Sequence, residues 1–520
     1  MSGDLDQHPG PAEPVAAART DSPFADPQDR LGRTPWIAAA AVTIGLLCLS
    51  ARYGFHRDEL YFRIAGQHLG FGYVDQPPLT PLIARVERVL FGDSTTAIRV
   101  WPALVAGAVV LLAALLCREL GGSRRAQAIV AVGVAASPGV LLAGHTLSTE
   151  TTDVLVWQVI ALLAVRALRT GRTRLWLAVG AAVGLGLQNK DLPGFLAAAL
   201  LAGLLLCHRR EVLTSRWLWL GLVLALAIAA PDVAWQAAHG FPQWQVAQAQ
   251  RHGTGATKYL LQQLVVLNPA LLPAVARGVR ALWRDRLLRP LAWAFGLLEV
   301  FFLVTGGKAY YPAPILLLLA AAGMAVAPAR RSACRWAPRP GRRWAPRPAR
   351  SRIGLHYAAI LGLGLLLLPA VLPVLPEATF AASAYAAEDD ARATIGWPQL
   401  AHQVDAALVR DRRGPGPGAV ITQSYGEAGA LARFGHSTVP VFSGHNSLWY
   451  YGRPADGVEV VLTVGYGPAT LATWFAGCSV VATNRTPYQL DNQENGAPIA
   501  ICTHPRAPWS RLWPELRHDN

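Results

Sequence analysis

The chain has 520 residues, of which 52% are hydrophobic and only 15% charged, and it carries a net charge of +15 with a mean hydropathy of +0.29. An ordinary soluble domain is roughly a quarter charged, so this composition excludes a water-soluble globule for most of the length and points to a polytopic membrane protein. The positive charge lies in arginines between apolar runs, a signal of membrane topology; no nucleic-acid partner is expected.

In chain order, residues 1–34 are rich in Pro, Asp, Ala and Arg, lack periodicity and read as a disordered cytoplasmic tail. Apolar windows then fall at 35–51, 97–117, 126–144, 151–168, 174–188, 193–207, 216–231, 259–276, 291–305, 311–328 and 353–375. They predict about eleven transmembrane helices and an all-α membrane domain over 35–375. A cleaved signal peptide is the rival reading of the first window, and the many spans that follow argue against it. Every second loop is basic: Arg118, Arg124 and Arg125; Arg166, Arg169, Arg172 and Arg174; Arg209, Arg210 and Arg216; Arg277 through Arg289; and a Pro/Arg-rich linker at 329–352, in which "RWAPRP" occurs twice. The positive-inside rule makes these loops cytoplasmic, with the N-terminus inside and the C-terminus outside.

The first external loop, 52–96, contains "GFHRDELYF", with Asp58 and Glu59 adjacent, and then "YVDQPPLTP", with Asp75 and Gln76 ahead of two prolines. A helix is predicted from Thr80 as N-cap to Gly92 as stop. Leu82, Ile83, Val86, Val89 and Leu90 form its apolar stripe, suited to lying in the membrane interface. The next external loop holds His145, Glu150 and Asp153. Glu150 reads as a helix-dipole partner, whereas Asp153, nearer the membrane, is a candidate for substrate contact.

Only three of the 47 basic residues are lysines, Lys190, Lys258 and Lys308, and all fall in loops predicted to be external. Topology disfavours cations there, so "LQNKDLPG" and "TGGKAYYPAP", the latter with Tyr310, read as anion-binding segments; Lys258, at a span boundary, has snorkelling as its plainer explanation. Carboxylates and lysines together at the outer surface suit a phosphate-linked substrate reached from the bilayer: cations hold the leaving phosphate while a carboxylate takes the proton of an attacking hydroxyl. A polyprenyl-phosphate sugar fits that description.

Beyond 375 the composition shifts. A helix is predicted at 396–411, then strands at "AVITQS", "VEVVLTVG", "CSVVATN" and "IAICTH" with a helix at "YGEAGALARFG", which together make a small extracytoplasmic α/β domain over 376–520. "SGHNSLWYYG" offers His445, Asn446, Trp449, Tyr450 and Tyr451 either for stacking on a sugar or as an aromatic-cored loop. Cys478 and Cys502 can form a disulfide or remain two buried thiols.

The first-loop Asp-Glu pair, the Pro-Pro segment led by polar residues, the lysine after the fifth span and the lysine before "YYPAP" resemble the bacterial membrane glycosyltransferases of the dolichyl-phosphate-mannose-protein mannosyltransferase superfamily, which includes the aminoarabinose transferases. The similarity covers roughly residues 35–330. It implies a C-type glycosyltransferase fold in a bacterial plasma membrane, a polyprenyl-phosphate sugar donor, a glycan, lipid or protein acceptor, and inversion by single displacement. It further implies catalysis at Asp58 with Glu59 beside it, donor-phosphate binding by Lys190 and Lys308, and substrate contact at Asp75, Gln76, His145, Asp153 and Tyr310. Aminoarabinose transferases have an acid-lysine pair before the two prolines; here Asp75-Gln76 lacks that cation, which implies a different sugar or acceptor. Some relatives imply a divalent metal, the one cofactor left open, for which His145, His239 and His252 are the histidines outside the core. The alternative function is a non-catalytic transporter or presenter of lipid-linked glycans, but transporters concentrate ionisable groups near the membrane midplane and here they collect in external loops.

Overall fold

The structure, a computed structural model, describes residues 22–27, 30–250, 255–326, 350–387, 389–410 and 416–519. Most of the predicted tail, His252 and most of the basic linker lie outside the described residues. Each apolar window falls on a helix or a bent helix pair, from Arg33–Leu49 through Arg350–Val371. By length and composition, four helices among the described residues can cross a membrane: Thr95–Glu119, Thr149–Thr170, Arg216–Ala238 and Gly354–Val371. The total is six if the bent pairs Arg124–Ala135/Pro138–His145 and Ala256–Val266/Pro269–Arg284 each count as one span. The apolar helices Leu175–Leu187 and Pro314–Ala325 have 13 and 12 residues, about 20 Å at 1.5 Å per residue, short of a hydrocarbon core of roughly 30 Å. The structure is thus a mostly helical membrane fold, and the expected eleven crossings exceed what helix length alone qualifies.

Small residues let these helices pack closely, as they must where lipid supplies no hydrophobic drive between helices. A Cβ added at Gly180 would meet the Gly221 carbonyl oxygen at 2.0 Å, so Leu175–Leu187 and Arg216–Ala238 touch backbone to backbone.

In the first loop, the helix Arg57–Ala65 begins with a capping box: the His56 ring accepts from the Asp58 N–H and the Glu59 carboxylate accepts from the His56 N–H. The following helix runs Leu79–Phe91 and ends at Gly92, whose φ of 89° suits glycine. Thr80 is not its N-cap. Pro78 takes that position, and buried Thr80 instead donates to Asn189 Oδ1 at 2.7 Å, because the tertiary partner outcompetes the local one. Leu82, Val86, Val89, Leu90 and Phe91 are exposed along one face.

The C-terminal sheet has five strands in the order β2-β1-β3-β5-β4: β1 Ala419–Thr422, β2 Val441–Ser443, β3 Val460–Val464, β4 Phe475–Thr483 and β5 Pro498–Pro505. β1 pairs in parallel with β2 and β3, whereas β5 runs antiparallel to β3 and β4. Three-residue β2 was missed from sequence because it is too short to show alternation. Cys478 and Cys502 face each other on β4 and β5 and are joined by a disulfide. This sheet does not stand apart from the membrane domain: Phe55, Leu60, Tyr61 and Phe62 of the first loop share one core with Trp397, Leu400, Val420, Leu462 and Ile499. Gly429 permits that approach, since a Cβ there would lie 2.6 Å from Leu60 Cβ.

Candidate active site

The two adjacent carboxylates have opposite surroundings. Glu59 is 0% exposed and takes hydrogen bonds from Arg99 Nε and Nη2 at 2.9 and 2.8 Å, from the His56 N–H at 2.8 Å and from the Leu147 N–H at 3.1 Å. Arg99 also donates to the carbonyls of Ser50 and Gly54. Glu59, expected as a catalytic partner, is therefore a buried anchor that ties the start of the loop to the span beneath it, with its acceptor capacity filled.

The Asp58 side chain is 33% exposed. Its Oδ1 accepts from the Tyr425 hydroxyl at 2.8 Å, while Oδ2 accepts no hydrogen bond among the described residues and has His56 Nδ1 3.6 Å away. Because His56 Nδ1 accepts from the Asp58 amide, the neutral ring carries its proton on Nε2, facing Asp390 Oδ1 at 3.8 Å. One Asp58 oxygen is thus positioned and the other is open to receive a proton.

A basic corner forms where three loops meet. Lys190 makes an ion pair with Glu150, and its Nζ lies 5.4 Å from the ring centres of both Tyr310 and Tyr311. Burial pushes the Lys190 amine down, but Glu150 and Asp153 outweigh it and the net shift is upward, so this lysine stays charged. Lys308 Nζ lies 5.9 Å from the ring centre of Tyr310. It has no carboxylate partner among the described residues, and burial lowers its amine, with Glu150 opposing the shift and Lys190 adding repulsion. Asp58 and Arg57 are near enough for Lys308 to feel their charges. Asp153 is buried and accepts from Trp157 Nε1 at 3.1 Å.

The remaining expected site residues divide. Asp75 accepts from the Tyr61 hydroxyl at 2.6 Å, and the Tyr61 ring lies 4.9 Å from that of Tyr425, so Asp75 is linked to Asp58 through two tyrosines. Burial raises its carboxyl to about 7. Gln76 is buried, and its backbone carbonyl accepts from the Tyr73 N–H. His145 is not beside the open carboxylate: it lies against Arg99, 3.3 Å from Nη1, behind Glu59, because the helix Pro138–His145 ends under the loop. His445, Asn446 and Trp449 are not exposed; Trp449 and Trp513 exchange indole-to-carbonyl hydrogen bonds and Tyr451 stacks on His68, which makes the segment an aromatic-cored brace. Sequence reasoning missed Tyr425 and Asp390, which only the folded chain brings near Asp58 and His56, missed His56, whose capping contact with Asp58 is local, and took Glu150 for a dipole partner although it holds Lys190. Among the described residues no three His, Cys, Asp or Glu side chains converge to hold a metal ion, so the described residues do not form a metal site.

Residues 75–235 match the family model described as Dolichyl-phosphate-mannose-protein mannosyltransferase. Over 180 residues the chain is 31% identical to an undecaprenyl phosphate-alpha-4-amino-4-deoxy-L-arabinose arabinosyl transferase of Pseudomonas savastanoi pv. phaseolicola, a match that spans 32% of this chain and 32% of that relative. In fold it resembles ArnT from Cupriavidus metallidurans, solved in the apo state and bound to undecaprenyl phosphate. Both comparisons give a TM-score of 0.58 at 16% identity, covering 89% of this chain and 97% of the other. The matched stretch makes this part of the chain similar to the dolichyl-phosphate-mannose-protein mannosyltransferase family and to a curated relative, and the shared architecture over most of the length gives the chain the fold of ArnT.

Proposed function

We propose that the protein is an integral-membrane glycosyltransferase that moves a sugar from a polyprenyl-phosphate donor to an acceptor hydroxyl on the extracytoplasmic side. The observation that carries this reading is the half-open Asp58 carboxylate within electrostatic reach of Lys308, a lysine with no carboxylate partner among the described residues, at the mouth of a helical membrane domain. In the proposed step Asp58 Oδ2 takes the proton of the acceptor hydroxyl. The acceptor oxygen bonds to the anomeric carbon as that carbon's bond to the phosphate oxygen breaks. The anionic polyprenyl phosphate departs toward Lys308 and Lys190. One displacement inverts the anomeric centre. Tyr425 orients Asp58, and both lysines lie against the Tyr310 ring. The proposed topology has eleven crossings, the N-terminus in the cytoplasm and the sheet outside.

Incubating the purified protein with a panel of polyprenyl-phosphate sugars tests the reading. The expected result is release of free polyprenyl phosphate with sugar transfer or hydrolysis for at least one donor. Neither turnover nor binding across the panel would overturn it.

A further inference from the structure

A polar cleft of about 270 Å³ opens beside Asp58, lined by Arg57, Asp390, Arg392 and the loop 491–494 of the C-terminal domain. One imidazole joins it to the proposed base: His56 has Asp390 Oδ1 3.8 Å from Nε2 and Asp58 Oδ2 3.6 Å from Nδ1. Both cations of the cleft have carboxylate neighbours. Arg392 pairs with Asp389 and lies 4.0 Å from Asp491, while Arg57 lies 3.7 Å from Asp58 and donates to Gln493 Oε1 at 2.5 Å. Asp390 and Glu494 therefore leave the lining with surplus negative charge. Glu494 is only 5% exposed, and among the described residues no other residue gives its carboxylate a hydrogen bond; its one such contact is with its own backbone, and burial raises its pKa. In the same lining the Asn492 side-chain oxygen is buried with no hydrogen-bond donor among the described residues, a costly state that hydroxyl groups of a ligand would relieve. A phosphate would instead face like charges at short range.

We infer that this cleft is the acceptor subsite and that it takes the neutral, hydroxyl-rich end of a carbohydrate and rejects a phosphorylated one. The inference rests on the glycosyltransferase reading and adds the acceptor class to it. The C-terminal domain, through Gln493 and Glu494, then supplies one wall of the site from which the acceptor hydroxyl approaches Asp58.

Saturation-transfer NMR on the full chain in detergent tests this with three probes: mannotetraose, arabinotetraose and mannose 6-phosphate. At least one neutral tetraose is expected to bind while mannose 6-phosphate does not, and Glu494→Gln and Asp390→Asn are each expected to weaken that binding about tenfold, the scale of one lost hydrogen bond to a charged group. No binding of either tetraose, stronger binding of the phosphorylated sugar, or tetraose binding unchanged in both variants would overturn the proposal. Undecaprenyl phosphate binding, read in the same samples, reports separately. Its retention in the variants shows them folded, and its absence in the unsubstituted protein would sink the donor assignment while the tetraoses still decide the cleft.

Discussion

Asp58 and Glu59 are neighbours in sequence with different work to do, and substitution separates them. Asp58→Asn keeps the shape and the contact with Tyr425 but cannot take a proton. Turnover with a labelled donor should fall by about 10² to 10⁴-fold, with undecaprenyl phosphate binding retained; near-normal transfer would move the base to Asp75. Glu59→Gln instead leaves Arg99, 1% exposed, without its counter-charge. Breaking one side of a buried pair costs about 3 to 5 kcal/mol, so its thermal unfolding in detergent should occur well below that of the unsubstituted protein. The two lysines also differ. Lys308 has no carboxylate partner among the described residues, and Lys308→Met should weaken undecaprenyl phosphate binding by about tenfold or more, since hydrogen bonds to charged groups contribute roughly 1.5 to 3 kcal/mol. Lys190→Met also strands Glu150 and should lower stability as well as affinity. Equal stability loss in both variants would argue against this division.

At the scale of elements, the helix Tyr425–Phe434 is the bridge between sheet and site. It starts at Ser424 in a capping box whose second member, Glu427, accepts from the Ser424 N–H at 2.9 Å, and its first residue reaches Asp58. Burial raises the Glu427 carboxyl to about 8, with the backbone hydrogen bond opposing the shift and nearby Glu494 adding to it. The folded state thus binds this proton more tightly than the unfolded chain does, so its stabilising contribution is complete below the ordinary glutamate pKa of about 4.3 and is lost as pH rises through about 8. Between pH 5 and 8.5 the unfolding temperature of the unsubstituted protein should fall relative to that of Glu427→Gln, whose amide oxygen can still cap Ser424. Parallel pH profiles would show that Glu427 does not titrate in the fold. This helix was legible in sequence from "YGEAGALARFG", and the structure adds the Ser424–Glu427 capping box at its start. Its Tyr425 was not marked as functional, because the partner lies 367 positions away.

For the whole molecule, the arginine pattern predicts which faces meet which compartment. Cysteines placed at Ser94 and Ser437, both exposed, should react with an impermeant reagent on intact cells, and one at Ser332 in the basic linker should react only after permeabilisation. Labelling at Ser332 with silence at the other two would invert the topology and remove the catalytic argument. A shared core under the first loop and the sheet further implies that mutations in either region destabilise both together.

What the sequence determined by itself is whatever depends on local period and composition. Apolar windows long enough to show up located the helices, short apolar runs located four of five strands, and arginine placement set the expected topology, since each acts over one element or one loop. It also marked Asp58, Lys190 and Lys308 as charges in unlikely company. Only the tertiary structure decided how these charges are used. It buried Glu59 against Arg99, paired Lys190 with Glu150, left Lys308 without a carboxylate among the described residues and brought Tyr425, Asp390 and Glu494 from the C-terminal domain to the first loop. Those outcomes depend on contacts between residues tens to hundreds of positions apart, whose energies come from desolvation and partner geometry, and no local pattern encodes them.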